Sequence, residues 1–435
     1  MNYPFQKTDS ASFHRIIIIL AAGVFLLTAY FSKGYFHADE HYQIIEFAGL
    51  KLGTHTTSEL AWEYKEASRQ AIQPMMCYAI FSVLKLFGLT NPYVQAFVLR
   101  LITALLALFA ISRLVTTTLQ QINPNFKKAF IILSYFLWFI PAINIRFSSE
   151  TWSGLMLVLL ISVLFKTYNS PRKNTFLMGV LMGFAFLFRF QSAFFSLGII
   201  IWLISIERLK IKQLLILFAG GILVLLLGLG IDSWFYGKLV FTPWTYFSKQ
   251  ILDGMAAGFG ESPWYFYLKA VLFAPGLPLG ILIYSAFFIL IIRQPKSPTL
   301  WGFLLFILMH TFVAHKETRF LFPLVNFLPL MLVLAWQEVN NLIPNLKKNN
   351  KLQVVVYSIF ALLFVGNTIA MATMSVKPAG NGKMEITSYI AENYPDKRIQ
   401  LIHADWSSPY NPWESVPTKF YQRENISETR IRNLC

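Results

Sequence analysis

The chain has 435 residues, of which 56% are hydrophobic and only 13% are charged. Ordinary soluble domains carry about 25% charged residues, so this composition excludes a soluble globular protein and indicates an integral membrane protein. The formal net charge is +16, but the Lys and Arg residues are scattered between apolar stretches rather than gathered in one polar segment, which argues against a nucleic-acid-binding protein.

Apolar stretches of the length that a membrane-spanning helix needs, about 20 residues, recur along almost the whole chain. The basic clusters between them are expected in the cytoplasm, because cytoplasmic loops carry an excess of Lys and Arg. The predicted fold class is an all-α polytopic membrane protein with about eleven transmembrane helices, the N-terminus inside and the C-terminus outside. The predicted spans are residues 13–31, 94–115, 129–145, 151–168, 175–188, 192–206, 213–231, 271–292, 299–314, 320–337 and 352–373.

Two segments allow more than one interpretation. Residues 176–206 are too long for one helix across a hydrocarbon core of roughly 30 Å, so a helical hairpin that turns near Arg189 is predicted. Residues 74–89 are interrupted by Lys85 and follow a polar, acidic stretch. A helix lying along the outer membrane surface is predicted there.

The first outer loop, about residues 32–93, begins with two adjacent carboxylates, Asp39 and Glu40, directly after the first span. Charge so close to a bilayer is costly and commonly marks a functional site. An exposed acidic loop is the simpler alternative, since loop carboxylates are weak site markers on their own. A second long outer loop covers about residues 232–270.

Other polar residues outside the predicted cytoplasm fall on the same side of the membrane. Arg146 and Glu150 flank one outer turn, Arg189 lies at the next, and His315–Arg319 forms a tight turn between two apolar stretches. An active site requires its groups on one side of the membrane, whereas random loop charges do not. The distribution therefore favours a functional site on the outer face.

The chain divides into two predicted domains. Residues 1–374 are predicted to form a transmembrane domain that carries the site and both outer loops. Residues 375–435 are polar and contain Trp406, Trp413 and several prolines, which favours a small extracytoplasmic domain over a disordered tail.

Four blocks along the chain resemble motifs of glycosyltransferase family 22, the mannosyltransferases that build GPI anchors and N-glycan precursors within the GT-C superfamily. His37–Glu40 is similar to the family's H-x-D-E motif, and Trp62–Tyr64 looks like its T-W-E-[WY] segment. The long outer loop, with Asp232–Gly237 and then Pro263–Trp264, is also similar. His315–Phe320 matches the H-K-E-x-R-F signature. Four blocks in the family's order are a much more specific signal than one acidic pair.

The resemblance implies a GT-C fold, transmembrane catalytic helices and an inverting transfer of mannose. The donor would be mannose linked through phosphate to dolichol or a bacterial polyprenol, and the acceptor a glycan or glycolipid. Thr245 and Gln250 stand where asparagines are expected in the acceptor loop, so the acceptor is not carried over from the family. The short termini and the lack of a retrieval signal favour a bacterial inner membrane over the endoplasmic reticulum.

Inverting transfer needs a carboxylate that accepts the proton of the attacking hydroxyl, an assistance worth about 10²–10⁴-fold in rate. Asp39 is the predicted general base. Adjacent side chains point in different directions, so Glu40 is predicted to bind a sugar hydroxyl or to orient His37. Lys316 and Arg319 are three residues apart and would share a helix face if the turn opens the next helix. There, two cations and the helix N-terminus would stabilise the leaving lipid phosphate.

Arg189 and His315 are predicted as further contacts of the donor phosphate. Predicted substrate-binding residues are His37, Trp62, Glu63, Asp232, Tyr236, Trp264 and Glu317. No spacing of His, Cys, Asp or Glu demands a metal, and no cofactor is predicted. The predicted partners are the lipid-linked sugar donor, the acceptor and the membrane lipids.

Each assignment has a simpler alternative. Lys316, Arg319 and Arg189 could be span ends whose long side chains reach the membrane surface, and Trp62 and Trp264 could belong to the interfacial aromatic belt. A transporter or flippase of lipid-linked sugars is a second functional class, although its usual paired repeats are not apparent. A GT-C transferase for another sugar is a third.

Overall fold

Helices dominate the structure. The computed structural model describes residues 5–166, 174–258, 260–342, 350–379, 383–395, 397–404, 418–421 and 426–431. The α-helices in this part of the chain are α1 (Phe5–Phe31), α2 (Glu46–Leu52), α3 (Trp62–Lys65), α4 (Ile72–Leu86), α5 (Pro92–Thr118), α6 (Lys127–Phe136), α7 (Phe139–Asn144), α8 (Ser149–Lys166), α9 (Thr175–Phe188), α10 (Ser192–Ser205), α11 (Ile211–Tyr236), α12 (Thr242–Phe247), α13 (Met255–Gly258), α14 (Phe266–Phe273), α15 (Leu277–Arg293), α16 (Pro298–Phe312), α17 (Leu328–Leu342), α18 (Asn350–Val376), α19 (Lys383–Asn393) and α20 (Thr418–Tyr421). Two strands, β1 (Ile399–Ala404) and β2 (Ile426–Ile431), pair in parallel.

Six helical segments in the described residues are long and apolar enough to cross a membrane: Ser10–Phe31, Pro92–Gln121, Ser149–Lys166, Ile211–Tyr236, Thr318–Leu342 and Gln353–Val376. A seventh span would be formed by α14 and α15 together, which meet at a bend of 119°. Three further predicted spans coincide with the shorter apolar helices α9, α10 and α16. The prediction of a largely helical, polytopic membrane protein is confirmed.

The core of the helical body surrounds α8. In the apolar stretch of α8, 72% of the residues are buried inside the protein, whereas none of the residues in the apolar stretch of α18 is buried. α5 and α9 pack against α8 on its flanks. Polar residues at the start of α8, Ser149 and Glu150, are therefore buried at one end of the core.

The break predicted near Arg189 within residues 176–206 is present, whereas the hairpin of two membrane spans stays a prediction. α9 ends directly before Arg189, which has an extended backbone (φ −155°, ψ 115°), and α10 begins at Ser192. On its other side α9 packs closely on α11, where a Cβ added at Gly179 would collide with the backbone of Leu217. α11 continues unbroken through its glycines. Gly220 and Gly228 pack closely on α9, so their small size serves close packing rather than a helix break.

The predicted single span over residues 129–145 is wrong, because the helix breaks between α6 and α7. A break inside a membrane frees backbone groups that lipid cannot satisfy. The side chain of Asn367 on α18 satisfies two of them: its Oδ1 accepts from the amide of Trp138 at 2.9 Å, and its Nδ2 donates to the carbonyl of Phe136 at 2.7 Å. One amide side chain thus supports the break from a neighbouring helix.

The helix predicted over residues 74–89 of the first outer loop is present as α4. Its start is held by Asp232 near the end of α11, whose Oδ1 accepts from the amide of Ala71 at 2.7 Å. The orientation of α4 along the membrane surface stays a prediction.

The C-terminal segment packs against the first outer loop. The amide of Ala379 donates to the carbonyl of Lys33 at 2.9 Å, and the rings of Phe420 and His41 lie 5.3 Å apart. Met384 of α19 is buried in a small apolar cluster with Ile426 of β2. The two-stranded sheet departs from the all-α prediction, which thus holds for the helical body only.

Candidate active site

The acidic pair lies in a turn between α1 and the π-helical segment His41–Ile45. The turn is closed by the amide of Glu40, which donates to the carbonyl of His37 at 3.0 Å. Successive side chains point apart, so Asp39 and Glu40 contact different cations. The nearest guanidinium to Asp39 belongs to Arg319 at 2.8 Å, and Glu40 lies 3.8 Å from Arg146.

Arg319 binds three carboxylates that come from distant parts of the chain. Its Nη2 donates to Asp39 Oδ2 at 2.8 Å, its Nη1 to Glu150 Oε1 at 2.7 Å, and its Nε to Glu317 Oε2 at 2.6 Å. The guanidinium is buried, and charge-assisted bonds of this length are strong. Arg319 therefore joins the first outer loop to the start of α8.

Glu150 forms a second buried ion pair, with Arg189 of the α9–α10 turn. Arg189 Nη1 donates to Glu150 Oε1 at 2.8 Å and to Ser149 Oγ at 3.3 Å. The guanidinium of Arg189 also lies 4.6 Å from the ring centre of Phe320. The turn predicted near Arg189 thus delivers this cation to the same site as Arg319.

Asp39 has two further partners that the sequence interpretation did not single out. Gln43 Nε2 donates to Asp39 Oδ1 at 2.9 Å and to Glu63 Oε1 at 2.6 Å. Arg69 Nη2 lies 3.4 Å from Asp39 Oδ2. Gln43 follows Asp39 by four residues in a helical segment, a spacing that could have indicated it. Arg69 lies in a loop whose path no pattern predicted.

Glu40 is the more deeply buried carboxylate of the acidic pair: its side chain is 12% exposed, whereas that of Asp39 is 25% exposed. Burial raises the pKa of Glu40 to about 7, although the positive charge of Arg146 opposes this rise. Arg146 is itself fixed by donating from Nη1 to the carbonyl of Gly34 at 3.0 Å. At neutral pH Glu40 can therefore take up or release a proton.

Glu317 lies between two histidines. His37 Nε2 is 3.2 Å from Glu317 Oε2, and His315 Nε2 is 2.9 Å from Glu317 Oε1. Burial alone would raise the pKa of Glu317, but its bonds with Arg319 outweigh that effect and hold the pKa at about 2. Burial, with the nearby charge of Arg319, lowers the pKa of His37. The H-x-D-E and H-K-E-x-R-F blocks thus meet in one network.

The prediction that Lys316 and Arg319 share a helix face is wrong. The 3₁₀ helix begins at Thr318, after Lys316, because the backbone of Glu317 is extended (φ −133°, ψ 148°). The buried ammonium of Lys316 donates to the carbonyls of Ser262 at 2.9 Å and Val313 at 2.5 Å. It holds two loops together and, among the described residues, shares no hydrogen-bond partner with Arg319.

Several predicted substrate-binding residues lie beside the site rather than in it. Asp232 is buried and accepts from Thr242 Oγ1 at 2.5 Å in addition to the amide of Ala71. The hydroxyl of Tyr236 donates to the carbonyl of Arg69 at 2.6 Å. Both therefore hold the segment before α4. Trp264 is 66% exposed, and Trp62 begins α3.

A pocket opens where these elements meet. Its lining comes from the acidic pair, the segment from Arg69 to Pro74, the start of α8 and the α9–α10 turn with Arg189. No group of three or more His, Cys, Asp or Glu residues in the described ranges is arranged to hold a metal ion. The pocket combines carboxylates with arginines, which suits a proton transfer beside a phosphate.

The fold is that of the GT-C class of membrane glycosyltransferases. The chain superposes with a TM-score of 0.58 on the crystal structure of ArnT from Cupriavidus metallidurans bound to undecaprenyl phosphate, over 95% of this chain and 85% of that one, at 14% identity. An Archaeoglobus fulgidus oligosaccharyltransferase superposes with a TM-score of 0.53 over 95% of this chain and 63% of that one, at 13% identity.

The chain belongs to the Alg9-like mannosyltransferase family, whose model matches residues 16–423. GPI alpha-1,2-mannosyltransferase 3 of Danio rerio is 26% identical over 290 residues, or 64% of this chain and 52% of the relative. The Xenopus laevis protein of the same name is 24% identical over 357 residues, or 80% and 64%. The chain thus spans less than two thirds of these two relatives.

Proposed function

We propose that the protein transfers mannose, with inversion, from a polyprenyl or dolichyl phosphate to a glycan or glycolipid acceptor. The observation that carries this proposal is the ion pair between Asp39 and Arg319 at 2.8 Å. It brings together two family blocks that are 280 residues apart, inside a pocket of opposite charges. The names of the mannosyltransferase relatives and the undecaprenyl phosphate bound to ArnT support the proposed chemistry.

Asp39 is the general base in this proposal. The acceptor hydroxyl oxygen attacks the anomeric carbon of mannose, its proton passes to Asp39, and the bond from that carbon to the phosphate oxygen breaks. The lipid phosphate leaves with the electron pair of that bond. Arg319 and Gln43 both bind Asp39, so the carboxylate is oriented before substrate arrives, which is how a preorganised base gains its effect.

Arg319 is better suited to hold carboxylates than to bind the donor phosphate. Each of its three side-chain nitrogens already donates to a carboxylate of the described residues. The same argument makes Lys316 a structural cation, because its ammonium is held by carbonyls. Of the four predicted phosphate contacts, Arg189 is retained in that role. It also pairs with Glu150, but it lines the pocket and its Nε has no partner among the described residues. His315 binds Glu317 and serves to orient it.

The site is proposed to lie on the outer membrane face. This orientation rests on eleven spans with the N-terminus inside. They are the six long helices, the bent pair α14–α15, the shorter helices α9, α10 and α16, and the broken pair α6–α7. The segment 375–435 would then be a small extracytoplasmic domain, in keeping with its contacts to the first outer loop. A bacterial inner membrane stays a prediction.

Transfer by purified protein tests the proposal. Detergent-solubilised protein is incubated with polyprenyl-phosphate mannose and a panel of glycolipid acceptors, and products are read by mass. A gain of one hexose that depends on Asp39 is the expected result. Matched donors with glucose, arabinose or an aminosugar test the alternative of another sugar. Translocation of lipid-linked sugar in sealed vesicles, with no transfer in detergent for any donor, would instead favour a transporter.

A further inference from the structure

The start of α4 opens onto the same pocket and carries an unusual set of hydrogen-bond donors. Arg69, Gln70 and Gln73 all line the pocket. The first amides of a helix have no partner within the helix and carry partial positive charge. At α4, however, Pro74 has no N–H and the amide of Ala71 already donates to Asp232. The side chains of Arg69, Gln70 and Gln73 are therefore the donors that matter at this end of the pocket, and Arg69 lies 3.4 Å from Asp39.

Two side-chain amide nitrogens at this end have no hydrogen-bond partner in the part of the chain that the structure describes. Gln70 and Gln73 are 8% and 3% exposed. Their Nε2 atoms are buried and donate to no atom of the described residues. Buried donors are almost always paired, because an unpaired one is costly. Two such donors on one side of one pocket indicate a ligand that supplies acceptors.

The segment that presents these donors is held firmly. Ala67 is buried with φ at +47°, a left-handed conformation that a non-glycine residue rarely adopts and that commonly marks a functional constraint. Tyr236 and Asp232 then bind the carbonyl of Arg69 and the amide of Ala71. Arg69 is 23% exposed and lies 3.4 Å from Asp39, whereas Arg319 lies 2.8 Å from the same carboxylate. The guanidinium of Arg69 is therefore the more available of the two for a ligand.

We propose that the side chains of Arg69, Gln70 and Gln73, at the start of α4, form the subsite for the phosphate of the lipid-linked donor. The guanidinium and the side-chain amide nitrogens are donors, and phosphate offers acceptors and negative charge. This assignment rests on the proposed function. It places the leaving phosphate beside the start of α4 and the base on the first-loop turn, so that both line one pocket.

Binding of three probes to the purified full-length protein tests the subsite: polyprenyl phosphate, the same polyprenol without phosphate, and inorganic phosphate. Gln73→Glu keeps the side-chain size and adds a repelling charge. Arg69→Gln removes the cation. Both are expected to weaken polyprenyl phosphate binding about tenfold or more, the range expected when a charge-assisted bond is lost. Polyprenol binding should stay within about twofold of wild type. Gln95→Glu, at a more exposed glutamine on α5, is the matched charge control.

The outcomes are separable. The subsite would be overturned if Gln73→Glu and Arg69→Gln bound polyprenyl phosphate as tightly as the wild type does. It would also be overturned if both variants lost affinity for polyprenol as much as for polyprenyl phosphate. If Gln73→Glu does not fold, the nearly isosteric pair Gln70→Met with Gln73→Met takes its place. If inorganic phosphate displaced polyprenyl phosphate at a similar concentration, the site would recognise phosphate alone, and its assignment to a lipid-linked donor would be overturned. A wild-type protein that binds polyprenyl phosphate but transfers no sugar contradicts the proposed function and leaves the subsite supported.

Discussion

Replacing Arg319 with lysine keeps the positive charge but removes the planar fork that reaches three carboxylates. The guanidinium donates to Asp39, Glu150 and Glu317 over 2.6–2.8 Å from three different nitrogens. An ammonium is a single point of charge and cannot reproduce that geometry. Asp39 should consequently lose its fixed position, while the donor phosphate keeps its own contacts.

The size of the effect follows from the bonds that are lost. One charge-assisted hydrogen bond is worth about 1.5–3 kcal/mol, which corresponds to about 10- to 100-fold in rate if the bond orients the base in the transition state. We therefore expect kcat for mannose transfer to fall by about 10- to 100-fold. Polyprenyl phosphate binding, measured separately, should change by less than about twofold.

Arg293→Lys is the matched control for this substitution. Arg293 is 45% exposed and binds one carboxylate, Glu338, at 3.3 Å. Exposed ion pairs contribute about 0–1 kcal/mol, so activity should be retained. The reasoning is refuted if Arg319→Lys keeps kcat but weakens polyprenyl phosphate binding about tenfold, since Arg319 would then contact the phosphate directly.

Three other predictions concern the base, a buried carboxyl and the orientation. Asp39→Asn should lower the rate of mannose transfer by about 10²-fold or more, while donor binding is retained. If Asp39→Asn kept full activity and Glu40→Gln lost it, Glu40 would be the base instead of Asp39. Burial, opposed by the charge of Arg146, raises the pKa of Glu40 from 4.5 to about 7, so its contribution to stability is present below pH 4.5 and is lost as the pH rises towards 7. Glu40→Gln should therefore flatten the fall in the thermal midpoint over that interval, and an unchanged fall would contradict the assignment. In a cysteine-free background, a cysteine at Ser58 should react with an impermeant thiol reagent in intact cells and one at Gln120 should not; the reverse pattern would overturn the orientation.

The family blocks and the helical body could be predicted because they depend on local patterns. Apolar stretches indicate spans from the local sequence alone. The membrane limits the length of a helix that crosses it, which predicted a break within residues 176–206, and the extended backbone of Arg189 forms that break. The H-x-D-E and H-K-E-x-R-F blocks were both assigned to one predicted site because their charges fall on the same side of the membrane, and the bond from Arg319 to Asp39 brings them together.

Contacts that depend on tertiary packing could not be predicted in the same way. Lys316 has the spacing of a helical neighbour of Arg319, but an extended backbone at Glu317 turns it towards carbonyls. Asp232 matches a family block, yet both its oxygens accept hydrogen bonds from protein groups. Arg69 was missed because it lies in a loop that only tertiary contacts direct into the pocket.

The Asn367 amide has a consequence for the opposite end of its helix. It bonds to both sides of the break between α6 and α7, so α18 cannot slide or rotate without losing both bonds. Each residue of an α-helix advances about 1.5 Å and turns about 100°, and α18 continues to Val376. The amide therefore sets both the height above the bilayer and the angular direction at which the C-terminal segment leaves the membrane. A one-residue insertion after Asn367 would turn that segment by about a quarter of a revolution, away from the loop that carries the acidic pair.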